Sequence, residues 1–329
     1  MNTNEKYIAL ENRIDVTDIQ TKVAEIKYEL RKVIVGQDDV INQLIIALLS
    51  NGHSLIEGLP GVAKTMMAKL LAKTINSNFS RIQFTPDLMP SDVTGTSVLN
   101  LQNNQFEFKK GPIFSNIVLI DEINRSPAKT QAALFECMSE NQITADGTTY
   151  KLDAPFLVFA TQNPIEQEGT YRLPEAQLDR FMFKINVNYP DLDDEILLLT
   201  EQQDRKNINK ESLINTVISG NEIIEFQQRI KSIFVHPDII KFIATLVFQT
   251  RSDQNLYIGA SPRASIAILD ASKALATMEG RDFVIPEDVK NVAYPILGHR
   301  VVLIPEKEME GYSTHTVIKQ IIDRVEIPR

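Results

Sequence analysis

Residues 52–65 read Gly52-His53-Ser54-Leu55-Ile56-Glu57-Gly58-Leu59-Pro60-Gly61-Val62-Ala63-Lys64-Thr65, a short apolar strand running into a glycine-rich turn that ends in Lys-Thr. This is the pattern of a phosphate-binding loop. Gly58, Pro60 and Gly61 let the backbone curl until successive N–H groups converge on one anion. Lys64 supplies a point charge for outer phosphates, and the Thr65 hydroxyl suits the coordination sphere of Mg²⁺. A helix expected to begin near Thr65 aims its partial positive end at the same place. Contacts to a nucleotide are therefore expected from Gly58, Leu59, Pro60, Gly61, Val62, Ala63, Lys64, Thr65 and Met66. One position departs from G-x-x-x-x-G-K-[ST], because Ala63 stands where the second glycine would be. Alanine is the smallest substitute, and an ordinary negative φ is expected for it.

A second motif follows 57 residues after Lys64. Ile117-Val118-Leu119-Ile120 is an apolar strand that delivers Asp121 and Glu122 at its C-terminal end. In an open parallel sheet that edge is where ligands bind. Asp121 together with Thr65 is suited to hold Mg²⁺, and Glu122 to polarise an attacking water. The next strand, Phe156–Thr161, ends in Gln162-Asn163-Pro164. There the Asn163 amide could orient that water or touch a γ-phosphate, although Asn-Pro is also a common loop start.

The first half alternates helices with short apolar runs, the arrangement of a parallel sheet with crossover helices. Amphipathic helices carry Val23, Ile26, Leu30 and Val33, then Val40, Ile41, Leu44, Ile45 and Leu48. Strands are expected at Ser54–Glu57, Ser80–Phe84, Ile117–Asp121, Phe156–Thr161 and Phe183–Val187, apolar enough to be covered on both faces. Asn141–Leu152 reads as a hairpin around Gly147, and a polar insert runs from Gly95 to Gly111. At Tyr189-Pro190-Asp191 a strand ends and a capped helix begins. The expected division is therefore an α/β core over 1–189 and an all-helical unit over 190–329. In the second unit, Ile196–Gln203, Glu222–Ile233, Asp238–Thr250, Ser261–Glu279 and Pro286–Leu297 show helical apolar spacing, and no strand is expected.

Composition bounds the class. The 43 acidic residues outnumber the 34 basic ones, giving a net charge of −9 and a pI near 5.1, a poor match to a long nucleic-acid backbone. The single cysteine, Cys137, lies among Leu134, Phe135 and Met138 on a helix, reads as packing, and fits a reducing compartment. The N-terminal residues lack a secretory pattern, and no apolar run approaches membrane-spanning length. A cytoplasmic location is the expectation. His53, His236, His299 and His315 lack metal-ligand spacing.

Val35-Gly36-Gln37, Gly58–Thr65, Asp121-Glu122-Ile123-Asn124-Arg125, Ala160-Thr161-Gln162-Asn163-Pro164 and Leu173-Pro174-Glu175-Ala176-Gln177-Leu178-Asp179-Arg180-Phe181 together resemble the MoxR family of AAA+ ATPases. The insert at 95–111 and the hairpin at 141–152 resemble extra elements of the AAA+ branch that also contains magnesium chelatase and McrB-like proteins. The resemblance implies a P-loop NTPase core followed by a smaller all-α lid, with ATP or ADP and Mg²⁺ bound between core and lid and between subunits. It implies that Val35, Gly36 and Gln37 lie near the adenine and that Asn163 is the first sensor. Arg180 would be an arginine finger acting on the neighbouring subunit, with Arg172 and Arg125 as competitors; Arg172 stands where the family pattern has a proline. Arg263 would be the second sensor, and Ser261 and Pro262 are the right residues to cap and open its helix. A ring homo-oligomer, expected as a hexamer, follows, and so does a remodelled client protein, in this family often one with a von Willebrand factor A domain. A magnesium-chelatase-like motor subunit, a DNA-acting AAA+ motor and a non-hydrolysing nucleotide switch are the rival readings. The acidic balance argues against DNA, and the intact Lys64, Glu122 and Arg180 argue against a switch.

Overall fold

The computed structural model describes residues 13–328, except 60, 103, 146, 165–170, 172 and 206–208. Pro60 of the phosphate loop, Arg172 and the Asp146 turn residue therefore lie outside the described residues. Five parallel strands form the central sheet: β1 Ser54–Gly58, β2 Phe79–Gln83, β3 Ile117–Asp121, β4 Leu157–Gln162 and β5 Phe183–Val187. Their order is β2-β3-β4-β1-β5. The chain leaves β1 in mid-sheet, crosses to the β2 edge and returns through β3 and β4. Each expected strand exists, shifted by at most one residue at an end.

Alternation along the strands builds two cores. In β3, Ile117 and Leu119 join a cluster with helices Thr17–Arg31, Asp38–Leu49 and Lys64–Thr74, whereas Val118 and Ile120 face helix Ala128–Glu140. All four are fully buried, which explains why these strands show no polar alternation. The first cluster continues without a break into the helical second half, through Phe226, Ile243, Ile268 and Val292.

The polar insert is an antiparallel hairpin, Gly95–Asn100 with Gln105–Lys110, and Gln142–Ala145 pairs with Thr148–Lys151. After β5 the described residues are mainly helical, with a bridge between Phe234 and Phe283 and a short ladder that were absent from the sequence reading. Leu256–Ile258 pairs with Val302–Leu303 in a short antiparallel ladder. Runs of two or three residues are too short for periodicity to reveal. Helix Leu192–Arg205 carries its expected apolar residues, yet Leu192, Ile196, Leu197 and Leu199 are exposed.

His53 links three elements at the start of β1. Its Nδ1 accepts the Val158 amide at 3.0 Å, and its Nε2 faces the Met138 carbonyl at 3.1 Å. An imidazole that accepts at one nitrogen and donates at the other is neutral. Burial pushes its pKa down to about 4, against the opposing pull of the Met138 carbonyl. The buried His299, whose Nε2 lies 3.0 Å from the Phe181 carbonyl, is shifted the same way by desolvation. The native state stays neutral at both sites while the unfolded chain takes up protons, so this stability is complete above the ordinary histidine value. Thermal and denaturant stability should therefore fall as the pH drops from about 6.5 toward 4, with His53 contributing a slope of about 1.4 kcal/mol per pH unit. His53→Asn, which keeps an acceptor for Val158, should flatten that slope in denaturant titrations across this range.

Candidate nucleotide site

The phosphate loop joins β1 to helix Lys64–Thr74. Gly61 has φ +88°, where only glycine is at ease. Ala63 has φ +61°, contrary to the negative φ expected from its sequence, because the helix starts at Lys64 and the loop must turn sharply to enter it. An L-residue pays about 1–2 kcal/mol for this conformation. Ala63 occupies the cap position and has no side-chain acceptor, so the first amides of the helix remain donors for an incoming anion. Lys64 Nζ rests on the Gly58 and Leu59 carbonyls, the latter at 3.3 Å.

Beside this loop, β3 ends in Asp121, which is buried. Its carboxylate accepts the Thr65 hydroxyl at 3.3–3.4 Å and the Thr161 hydroxyl at 3.1 Å, and pairs with Arg81 Nε at 2.6 Å. Glu122 turns out of the strand at φ +58°, and its amide donates to Thr161 Oγ1 at 3.0 Å. Gln83 Nε2 at 2.8 Å and Arg125 Nε at 3.0 Å both reach Glu122 Oε2, so neither of these bonds uses Oε1. Asn163 is buried just beyond β4, which lies between β3 and β1. The structure thus brings Lys64, Thr65, Asp121, Glu122 and Asn163 to one edge.

A cavity of about 800 Å³ opens there, lined by Val35, Gln37, Gly61–Met67, Arg81, Tyr189 and Leu198. Gly58 and Leu59 line an adjoining cavity of about 840 Å³ with Tyr189 and Tyr294. Gly36 lines neither; it packs so tightly that a Cβ would lie 2.0 Å from Asp194 Oδ2.

Arg180 and Arg263 lie elsewhere. They line a third cavity, about 350 Å³, with Asn51, His53, Asp179 and Arg300. Asn51 and His53 precede β1, and Arg180 precedes β5, so this cavity opens at the N-terminal end of the parallel sheet. A five-residue strand separates the two ends by roughly 15 Å. Arg180 Nη1 donates to the Phe135 carbonyl at 2.9 Å and to Ser139 Oγ. Arg263 Nη1 meets Asp179 Oδ2 at 3.4 Å, with Ser261 capping its helix as expected. Arg125, the third candidate arginine, stays beside Glu122.

Four contributors were not singled out from the sequence: Arg81, Gln83, Thr161 and Arg300. The alternation of Arg81 and Gln83 on β2, two residues apart on one face, was the available signal.

Residues 53–183 match the family described as ATPase family associated with various cellular activities (AAA), and residues 248–321 match the AAA lid domain. Chaperone MoxR1 of Mycobacterium tuberculosis is 41% identical over 92% of this chain and 81% of that protein. The uncharacterized protein YeaC of Bacillus subtilis is 43% identical, covering 94% and 96%. A crystal structure of a candidate ATPase from Cytophaga hutchinsonii superposes with a TM-score of 0.88 at 46% identity, over 99% of both chains. The fold and loop define an AAA+ ATPase with a helical lid. Within that class, the chain belongs to the MoxR family.

Because Ala63 holds a glycine-type conformation, Ala63→Gly should leave ADP affinity within a factor of about three, and Ala63→Val, with its branched Cβ, should weaken it by roughly tenfold or more. Calorimetric titration with ADP measures both.

Proposed function

We propose that this chain binds ATP with Mg²⁺ at the C-terminal edge of its sheet, hydrolyses it with help from a neighbouring subunit, and uses the cycle to remodel a partner protein. One observation carries the reading. The Asp121 carboxylate lies 3.3 Å from the Thr65 hydroxyl, so the strand that ends in two acids meets the loop built for phosphate.

Lys64 and the first amides of its helix take the outer phosphates. Val35, Gln37 and Leu198 frame the far part of the pocket, where a base would lie. Thr65 and Asp121 would hold Mg²⁺: both offer hard oxygen donors, and the Arg81 guanidinium against Asp121 marks a position that favours a cation. Bound there, Mg²⁺ would neutralise charge on the β- and γ-phosphate oxygens. Glu122 is the base. Gln83 and Arg125 fix it through Oε2, and Oε1 takes the proton of the attacking water. Asn163 helps to orient that water. These roles rest on geometry at one edge.

Arg180 and Arg263, roughly 15 Å away at the opposite edge, do not meet the nucleotide of their own chain. Their use is in a neighbour's site, which makes an oligomer, in the simplest closed form a ring, part of the catalytic unit. A guanidinium there stabilises charge spread over the transferring phosphoryl group. The chaperone name of the mycobacterial relative supports a protein client, of which a von Willebrand factor A domain is our first choice. Among the described residues no helix is long and apolar enough to cross a membrane, in keeping with a cytoplasmic machine.

Glu122→Gln keeps the shape and the Gln83 contact but loses the basic lone pair. It should retain ATP and slow phosphate release by roughly 10²–10⁴; a normal kcat would move the role to Asp121.

Arg180→Ala should bind a fluorescent ATP analogue normally and turn over more slowly by roughly 10³–10⁵, the range for arginine fingers of GTPases. Lys64→Ala should lose nucleotide binding. Each variant alone is inactive, and their mixture should regain partial activity, since one supplies the finger and the other the loop. A mixture that co-assembles and stays inactive would remove Arg180 from the role.

A further inference from the structure

Asp179 ends the short helix Glu175–Leu178 and immediately precedes Arg180. Its carboxylate is bound by three side chains, all from the helical half of the chain. Ser261 Oγ donates at 2.9–3.0 Å, Arg263 Nη1 at 3.4 Å and Arg300 Nε at 2.9 Å. Ser261 and Arg263 stand at the start of helix Pro262–Met278, and Arg300 follows helix Pro286–Leu297. Two lid elements thus converge on one core carboxylate.

Arg300 does more than pair with it. Its side chain is 3% exposed, and its remaining nitrogens donate to backbone carbonyls. Nη2 reaches Asp179 O at 3.1 Å and Phe181 O at 2.7 Å, and Nη1 reaches Met182 O at 3.0 Å. These carbonyls flank Arg180 on both sides. One guanidinium from the lid therefore grips the backbone that carries Arg180, while Arg180 sends its own side chain away toward Phe135 and Ser139. A planar fork with five donors suits this grip, whereas a lysine ammonium would hold only part of it.

We propose that Asp179 and Arg300 are positioning residues of the Arg180 finger: they tie the orientation of the lid to the backbone on which Arg180 stands, so that the lid of one subunit sets the finger offered to the next. The inference rests on the reading of Arg180 as a finger acting between subunits. A purely structural ion pair would stabilise the fold without belonging to either side of the shared site, and that difference can be measured.

The experiment follows steady-state ATPase activity, binding of a fluorescent ATP analogue and thermal melting for Asp179→Asn and for the milder Ser261→Ala, in full-length assembled protein. Asp179→Asn should bind the analogue within about threefold of wild type with its KM for ATP unmoved. Its kcat should fall by roughly 10–100-fold, the cost of displacing a reacting group by about an ångström. Ser261→Ala should show a smaller loss of the same kind. Mixing then assigns the side. Asp179→Asn mixed with Lys64→Ala should recover activity, because the latter still presents an intact finger. Asp179→Asn mixed with Arg180→Ala should not, because both are defective on the same side.

Unchanged kcat in both variants overturns the proposal, as does loss of analogue binding in step with kcat. If Arg180→Ala is rescued by Lys64→Ala but Asp179→Asn is not, the proposal fails while the finger reading stands. If Arg180→Ala is not rescued either, the finger reading itself fails. Should Asp179→Asn not fold, Ser261→Ala in the same mixtures decides.

Discussion

A parallel sheet has two chemically different ends, and the allocation of residues between them governs this molecule. Every strand of the sheet runs the same way. Whatever follows a strand gathers at one edge, and whatever precedes a strand gathers at the other. Loop 58–65 follows β1, the acids close β3 and Asn163 follows β4. Arg180 precedes β5. No side chain is long enough to close a gap of roughly 15 Å, so the separation of Lys64 from Arg180 is a consequence of topology and not of a particular rotamer. On the reading proposed above, a finger at the far edge would serve a second copy and not its own.

Electrostatics at the C-terminal edge is arranged around two adjacent acids with different partners. Asp121 is buried and answered by the Arg81 guanidinium and two hydroxyls. Glu122 is partly exposed and held through a single oxygen by Gln83 and Arg125. Arg81 and Gln83 belong to the edge strand β2, so an outer strand with no acid of its own orients both carboxylates. Glu122 leaves the strand in a left-handed conformation, and because the two acids are held by different partners, each can serve a distinct role.

The sheet was legible because buried parallel strands leave runs such as Ile117–Ile120 that few other structures require. The phosphate loop and the acid pair were legible because their residue types are dictated by chemistry at fixed spacing. Other features were hidden for physical reasons. The conformation of Ala63 depends on where the helix begins, and its side chain carries no mark of a positive φ. The ladder Leu256–Ile258 with Val302–Leu303 joins residues about 45 positions apart, and neither run shows a period. Arg300 resembles any surface arginine in sequence; only the fold brings it from position 300 to Asp179. Gln83 and Arg81 look like exposed strand positions, and they acquire meaning once β2 is seen beside β3.

The lid is joined to the core by two unlike attachments. Its helices continue the apolar cluster on one face of the sheet, through Ile185 and Val187 to Ile268 and Val292. A hinge that parted them would expose apolar surface at about 25 cal/mol per Å², so the motions available at low cost are those that slide packed side chains past one another. At the N-terminal end of the sheet the attachment is polar and directional, through Asp179, Ser261, Arg263 and Arg300. A buried ion pair with its hydrogen bonds met gives little net stability but is costly to break. An apolar contact tolerates sliding, and a guanidinium that donates to the Asp179 carboxylate and to three backbone carbonyls beside Arg180 does not. On the proposed coupling, a small displacement of the lid would slide along the apolar contacts and be passed through the polar one to the segment that carries Arg180.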